Sequence, residues 1–203
     1  MSPTLAADGQ PIRNRTFDEL QIGDSAELSC VLTQRDIGLF AVVSGDVNPA
    51  HLDPEFAERS RFHGVIGHGM WGGALISAVL GTRLPGPGTI YLGQALRFKR
   101  PVRPGDAITA RVTVRELHAE KGIAVLDCEC LNQFGETVIS GSAEVLAPRE
   151  RVEWNPQRLP SASLHQGGPD PLDLSGKRGL IVGIANDQSI AHGCAVAMQA
   201  AGA

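Results

Sequence analysis

The stretch from Gly64 to Leu80, which reads GVIGHGMWGGALISAVL, constrains the fold of this 203-residue chain more than any other. From Gly69 onward it is apolar or small on every side, and a helix that is apolar all round is normally buried. It is shorter than the roughly 20 apolar residues that a bilayer-spanning helix needs. The sequence therefore predicts a buried helix that opens at His68-Gly69, where unpaired backbone N–H groups carry a partial positive charge.

The overall composition narrows the class of protein. The chain is 42% hydrophobic and 20% charged, which is typical of a globular domain. Its net charge of −4 shows no basic excess of the kind that nucleic-acid binding requires. Residues 1–10 are polar and no apolar run reaches membrane length, so we expect a cytoplasmic protein with no secretory signal and no membrane contact.

The cysteines are Cys30, Cys128, Cys130 and Cys194, and they contain no CxxC pair. We expect reduced thiols rather than a disulfide or a metal site. Cys128 and Cys130 are predicted to share one face of a strand.

Two shorter helices are predicted before the central one. The first covers Thr33 to Val43, with Thr33 as N-cap and Asp36 as the acid of a capping box. The second begins at Asp53-Pro54 and runs to about Ser60. The segment 44–51 between them is predicted to be a polar loop.

Strand patterns lie on both sides of the central helix. A short alternating strand follows the turn at Gly23-Asp24. Four further strands are predicted after a Gly/Pro-rich turn: Thr89 to Lys99, Asp106 to Leu117, Ile123 to Asn132, and Glu136 to Leu146. One buried helix and a run of antiparallel strands predict an α+β domain over 15–148, preceded by a flexible tail over 1–14. The Pro-rich composition of 149–173 is typical of a linker.

The predicted loop carries two residues with acid–base chemistry. Asp46 and His51 lie five residues apart, and a carboxylate and an imidazole held together can position one water and move its proton. The spacing alone does not separate this role from a helix cap and a surface histidine.

Three stretches carry a family resemblance: SGDVNPAHLDPEFA, RFHGVIGHGMWGGALISAVLG and LPGPGTIYLGQALRFKRPVRPGD. Together they resemble the MaoC-like (R)-specific enoyl-CoA hydratases, over roughly Arg15 to Pro148. They also resemble the hydratase-like module at the head of some phosphate acetyltransferase fusions. The resemblance implies a hot-dog fold, in which a curved antiparallel sheet wraps a central helix, and a homodimer.

The resemblance also implies a reaction and its residues. Asp46 and His51 match the catalytic pair, which activates water for addition across a trans-2-enoyl thioester to give the (R)-3-hydroxyacyl thioester, or runs the dehydration in reverse. Gly69 matches the glycine whose N–H binds the thioester carbonyl, where negative charge develops. The implied enzyme is a hydro-lyase of fatty-acid metabolism that uses no cofactor and no metal.

Further residues are candidates for substrate binding. Asn48 is a candidate to hydrogen-bond either the catalytic water or its own loop. Ser77 is a candidate either to lie near the substrate or to pack as a small residue on the buried helix. Lys99, Arg100 and Arg103 form a basic group suited to the phosphates of coenzyme A or of an acyl carrier protein's phosphopantetheine. A solvated strand end is the alternative for that group. We assign His68 to the turn and His63 to the surface.

Two other functions share this fold. One is a hot-dog acyl-thioesterase, which generally uses a different acid–base arrangement from the Asp46–His51 pair. The other is a non-catalytic acyl-thioester-binding module of a larger fusion, with a phosphate acetyltransferase or an enoyl-acyl-carrier-protein reductase.

A second resemblance covers residues 174–203, which are similar to the opening of the enoyl-acyl-carrier-protein reductases. Its turn consists of Gly183, Ser189, Ile190, Ala191 and Gly193. One strand and one helix make an incomplete Rossmann-like β-α fragment that cannot bury a core alone. We therefore expect a truncated fusion partner. The reductases also need a tyrosine downstream of the turn, and the only tyrosine is Tyr91, upstream of it.

The fragment generates a binding prediction. Because the strand that would carry the ribose-binding acid is missing, we expect this chain not to bind NAD by itself. The measurement is a fluorescence titration of the chain with NADH, and tight binding would overturn the prediction.

Overall fold

A computed structural model describes residues 11–155 of the chain. The reductase-like residues 174–203, Cys194 and most of the predicted linker lie outside this range. The described strands are β1 (Ile12–Arg13), β2 (Ser25–Val31), β3 (Ile90–Phe98), β4 (Ala107–His118), β5 (Ile123–Leu131), β6 (Thr137–Leu146) and β7 (Glu153–Trp154). The described α-helices are α1 (Gln34–Ser44), α2 (Pro49–Leu52), α3 (Pro54–Arg59) and α4 (Gly69–Thr82). Within residues 11–155, every helix falls short of the length and apolarity needed to cross a membrane.

One antiparallel sheet of five strands, in the order β2-β4-β5-β6-β3, forms the main layer. Alternate residues of β4 and β5 are buried, which gives these strands one apolar face and one polar face. Helix α4 packs on the apolar face, against β2, β4 and β5. The expected α+β hot-dog arrangement is confirmed for the described domain, and the four predicted strands lie within one residue of the observed bounds.

Helix α1 begins and ends as its sequence predicts. The hydroxyl of Thr33 accepts the N–H of Asp36 at 3.1 Å, and the Asp36 carboxylate accepts the N–H of Thr33 at 2.8 Å. Gly45 ends the helix in the left-handed region at φ 74°, a conformation that glycine adopts without strain. The chain therefore leaves α1 in a fixed direction immediately before Asp46.

The predicted loop over 44–51 contains a helix that the sequence analysis missed. Pro49 opens α2, and the Asn48 side chain caps it by accepting the N–H of Ala50 at 3.0 Å. A helix of four residues is too short to show an apolar period, so only its cap and its proline could have indicated it.

The prediction that α4 is buried on every side is wrong for the single chain. Its inner face is buried and includes Trp71, Leu75, Ile76 and Val79. Its outer stripe is exposed and consists of Gly69, Met70, Ala74, Ser77 and Gly81. Apolar and small residues on all sides do not distinguish burial within one chain from burial by another chain.

Two of the cysteines confirm the predicted strand face. Cys128 and Cys130 are both buried on the inner face of β5, and both are free thiols. Burial raises the pKa of Cys128 to about 11 and that of Cys130 to about 12. Both side chains therefore remain protonated, unreactive thiols at neutral pH.

The two ends of the described chain are held together. Strand β1 pairs with β7 in a separate two-stranded sheet. Between them, the amide of Asn14, only 1% exposed, donates to the carbonyl of Glu150 at 2.7 Å and accepts the N–H of Val152 at 2.9 Å. Ordered structure thus extends beyond the predicted bounds of 15 and 148 at both ends.

This arrangement predicts a stability difference between two substitutions. Asn14→Ala leaves the part-buried N–H of Val152 and the part-buried carbonyl of Glu150 without their side-chain partner, which we expect to cost about 1 to 3 kcal/mol of unfolding free energy. The control is Glu153→Ala, which removes an exposed ion pair with Arg13 (2.8 Å) and should cost less than about 0.5 kcal/mol. Urea denaturation followed by tryptophan fluorescence measures both. Equal losses would show that the Asn14 amide contributes no special stability.

Candidate active site

The loop after α1 presents Asp46. Its N–H donates to the hydroxyl of Ser44 at 3.2 Å, and its Oδ1 accepts the N–H of Asn48 at 3.2 Å. These contacts are local turns of the kind that aspartate and serine favour. They leave the rest of the Asp46 carboxylate exposed at the protein surface.

Helix α2 presents His51. The ring Nδ1 lies 2.8 Å from the carbonyl oxygen of Ile66, and a carbonyl can only accept, so Nδ1 carries the proton. In the neutral ring, Nε2 therefore holds the lone pair and can act as a base. His51, one of the two residues of the catalytic pair that the family resemblance implies, thus has a tautomer that can accept a proton.

The two side chains converge on one cavity. A carboxylate oxygen of Asp46, a ring nitrogen of His51 and a ring nitrogen of His68 all lie within 4.8 Å of one another. Asp46, His51 and Gly69 line the same cavity of about 570 Å³, a volume typical of small-molecule sites. The apolar part of its wall includes Phe40, Ile66, Trp71, Phe98, Val102, Ile108, Val138 and Ile139.

Gly69 begins helix α4 at the mouth of the cavity. As the first helical residue it has no intrahelical acceptor for its N–H, and this group makes no hydrogen bond within residues 11–155. A Cβ on residue 69 would lie 2.8 Å from the ring of Phe98. With Phe98 where it lies, residue 69 has no room for a side chain, and its N–H is free to donate to a ligand.

The predicted basic group divides in the structure. Lys99 and Arg100 line the cavity, and Arg100 also pairs with Glu136 at 3.5 Å. Arg103 instead donates to the carbonyl of Phe62 and is not part of the described cavity lining. Arg61 lines the cavity and was missed, because a single arginine after a short helix has no distinguishing pattern.

Two other predicted residues lie away from the described cavity lining. Asn48 caps α2, which agrees with the loop alternative. Ser77 lies on the exposed stripe of α4, so the single chain shows neither substrate contact nor helix packing for it. His63 is exposed, as predicted.

His68 has a larger part in the site than its assignment to a turn suggested. It is only 4% exposed, and its Nε2 lies 2.9 Å from the backbone carbonyl of Asp46. Its ring centroid lies 3.9 Å from that of His51. Contacts across 22 residues of sequence leave no local pattern, so sequence analysis had no signal for them.

Asp46, His51 and His68 also have the composition of a metal site. Each imidazole already uses one nitrogen on a backbone carbonyl, which leaves one nitrogen per ring. The absence of a metal from the mechanism stays a prediction.

The fold and the site together define a hot-dog domain in which a carboxylate and an imidazole lie near the start of the central helix. The chain belongs to the family of MaoC-like domains, whose model matches residues 19–126.

Named relatives agree with this assignment. An (R)-specific enoyl-CoA hydratase of Rhodospirillum rubrum is 47% identical over 65% of this chain and 91% of its own length. A 3-hydroxybutyryl-CoA dehydratase of Methylorubrum extorquens is 43% identical over 66% of this chain and 85% of its own length. The solved structure of R-hydratase PhaJ1 from Pseudomonas aeruginosa superposes with a TM-score of 0.68, at 45% identity over 70% of this chain and 92% of that one.

Proposed function

We propose that this protein is an (R)-specific enoyl-CoA hydratase and, in reverse, a 3-hydroxyacyl-CoA dehydratase. The observation that carries the proposal is that Asp46, His51 and Gly69 line one cavity. The relatives named as hydratase and dehydratase, at 43% and 47% identity, support the same reaction.

The acid and the base divide the work on one water. The Asp46 carboxylate accepts one hydrogen of the water, and His51 Nε2 accepts the other and removes it as a proton. The hydroxide adds to C3 of the enoyl thioester, and the electron pair of the C2–C3 double bond moves toward the thioester carbonyl. Return of the proton to C2 completes the addition of one water.

Gly69 stabilises the charge that this addition creates. The thioester oxygen becomes negative as C3 is attacked, and a free N–H at the start of α4 donates to it with the help of the helix dipole. Loss of one such donor costs on the order of 3 kcal/mol of barrier. Glycine has no side chain that could cover this N–H, which favours close approach of the thioester oxygen.

The two ends of the substrate fit different parts of the cavity. The apolar wall, with Trp71, Ile108 and Ile139, suits an acyl chain. Arg61, Lys99 and Arg100 supply positive charge for the phosphates of coenzyme A or of an acyl-carrier phosphopantetheine. We favour hydration over thioester hydrolysis as the reaction because both Asp46 and His51 line this cavity.

The catalytic assignment predicts the outcome of two substitutions. With crotonyl-CoA as substrate, loss of the enoyl-thioester ultraviolet absorbance measures hydration. Asp46→Asn and His51→Ala should each lower kcat by about 100-fold or more, because each removes a group that moves the proton.

Matched controls are Asp18→Asn and His118→Ala, which alter an exposed acid and an exposed histidine outside the cavity lining. Both should retain wild-type rates. Full activity in the two site variants would sink the mechanism. Release of free coenzyme A in place of hydration would favour the thioesterase alternative.

We also propose a homodimer built on the exposed edge of the sheet. Among the described strands, β3 is the last strand of the sheet and pairs with β6 alone. Its apolar side chains are exposed to an unusual degree, with Ile90 at 56% and Leu92 at 50%. Together with the outer stripe of α4, they form the kind of apolar surface that a second copy covers.

The dimer predicts a difference between two alanine-to-arginine substitutions. Ala74 lies on the exposed stripe of α4 and Ala119 in the turn before β5, and both side chains are exposed in the single chain. Ala74→Arg should shift the chain from dimer to monomer, whereas Ala119→Arg should leave the dimer intact. Sedimentation velocity measures both masses against the chain mass of 21.4 kDa. A wild-type chain that sediments as a monomer would contradict the proposal.

The cell compartment and the last residues of the chain complete the proposal. The free, buried thiols of Cys30, Cys128 and Cys130 support a reducing compartment, which we take to be the cytoplasm. For residues 174–203 we propose the truncated start of an enoyl-acyl-carrier-protein reductase-like domain, supported by its sequence motif alone. The NADH titration tests the accompanying prediction that this fragment does not bind the dinucleotide.

A further inference from the structure

His68 connects the two halves of the proposed active site. It is the N-cap residue of α4 and directly precedes Gly69, the proposed oxyanion donor. Its ring reaches back to the loop that carries Asp46 and lies against His51. It is also 4% exposed, so its own side chain is shielded from water.

His68 makes a hydrogen bond to the backbone of Asp46 from outside the loop that carries Asp46. The other hydrogen bonds of Asp46 go to Ser44 and Asn48, its near neighbours. Within residues 11–155, the hydrogen bond from His68 Nε2 is the one long-range hydrogen bond to Asp46. Without it, the loop would carry the Asp46 carboxylate with no tie to the start of α4.

The contact with His51 fixes the plane of the base. The two rings lie 3.9 Å apart between centroids and 35° from parallel. His51 is also held at Nδ1 by the carbonyl of Ile66. Phe40 packs on His68 at a centroid distance of 5.1 Å, so His68 lies in contact with two rings.

The hydrogen bonds of His68 also define its protonation. The carbonyl of Asp46 can only accept, so Nε2 carries the proton. Nδ1 is buried, and the described residues offer it no hydrogen-bond partner. The Nε2–H tautomer satisfies this contact and places no N–H at the buried Nδ1.

We propose that His68 is a positioning residue of the hydration reaction. Its Nε2–H holds the backbone of Asp46 and its ring supports His51, so that the carboxylate and the base address the same water. The inference rests on the proposed function, because it assigns to His68 the alignment of that acid–base pair.

Two substitutions separate positioning from simple packing. His68→Phe keeps an aromatic ring against His51 and removes the donor to Asp46. His68→Gln keeps an N–H that can reach the same carbonyl and removes the ring. We expect His68→Phe to lower kcat by about 10- to 100-fold with KM within about twofold, because misplacement of a reacting group acts on the transition state. His68→Gln should recover part of that loss.

A second measurement does not depend on activity. Nitrogen-15 shifts of the imidazole rings report the tautomer of each histidine, and His68→Gln identifies the signals of residue 68. We expect the Nε2–H tautomer for His68 and the Nδ1–H tautomer for His51 in the wild-type chain.

The possible outcomes distinguish the two proposals. A wild-type chain that is folded but inactive on enoyl thioesters overturns the proposed function itself. An active wild type with unchanged kcat in His68→Phe overturns positioning alone. Positioning is also overturned if His68→Phe raises KM without lowering kcat, or if His68 carries its proton on Nδ1. The same holds if His68→Phe and His68→Gln lose equal activity and that loss matches the drop in folded protein measured by urea denaturation.

Discussion

The burial of one face of α4 against the sheet is the constraint on which the rest of the structure depends. Side chains such as Trp71 and Ile76 hold the helix in the concave face of the sheet and so fix where its first turn opens. Gly69 lies at that opening, and the loop with Asp46 and the helix with His51 are tied to the residues just before it. The apolar core thus sets the place of the polar site.

Local signals in the sequence predicted most of the fold. The capping pattern at Thr33 and Asp36 gave the start of α1, and the alternation in β4 gave its buried face. Helix α2 was missed because four residues are too few to show a period. The exposed stripe of α4 was missed because hydrophobicity predicts burial but does not say which chain provides it.

The site was only partly accessible from sequence. Family resemblance selected Asp46, His51 and Gly69 from among many polar residues and glycines, and the structure brings these three to one cavity. Resemblance did not select His68 or Arg61, whose places depend on contacts between segments far apart in the chain. Arg103 was selected for its charge, but its guanidinium binds a backbone carbonyl instead.

The pairing of the two ends has a consequence for synthesis on the ribosome. Asn14 leaves the ribosome early, but the carbonyl that its amide binds belongs to a residue 136 positions later. At about 5 to 20 residues per second, that interval is on the order of ten seconds. During it, β2, β4 and β5 are made and can pair with one another while β1 still lacks β7. The pairing of the two ends is therefore among the last steps in the folding of the domain.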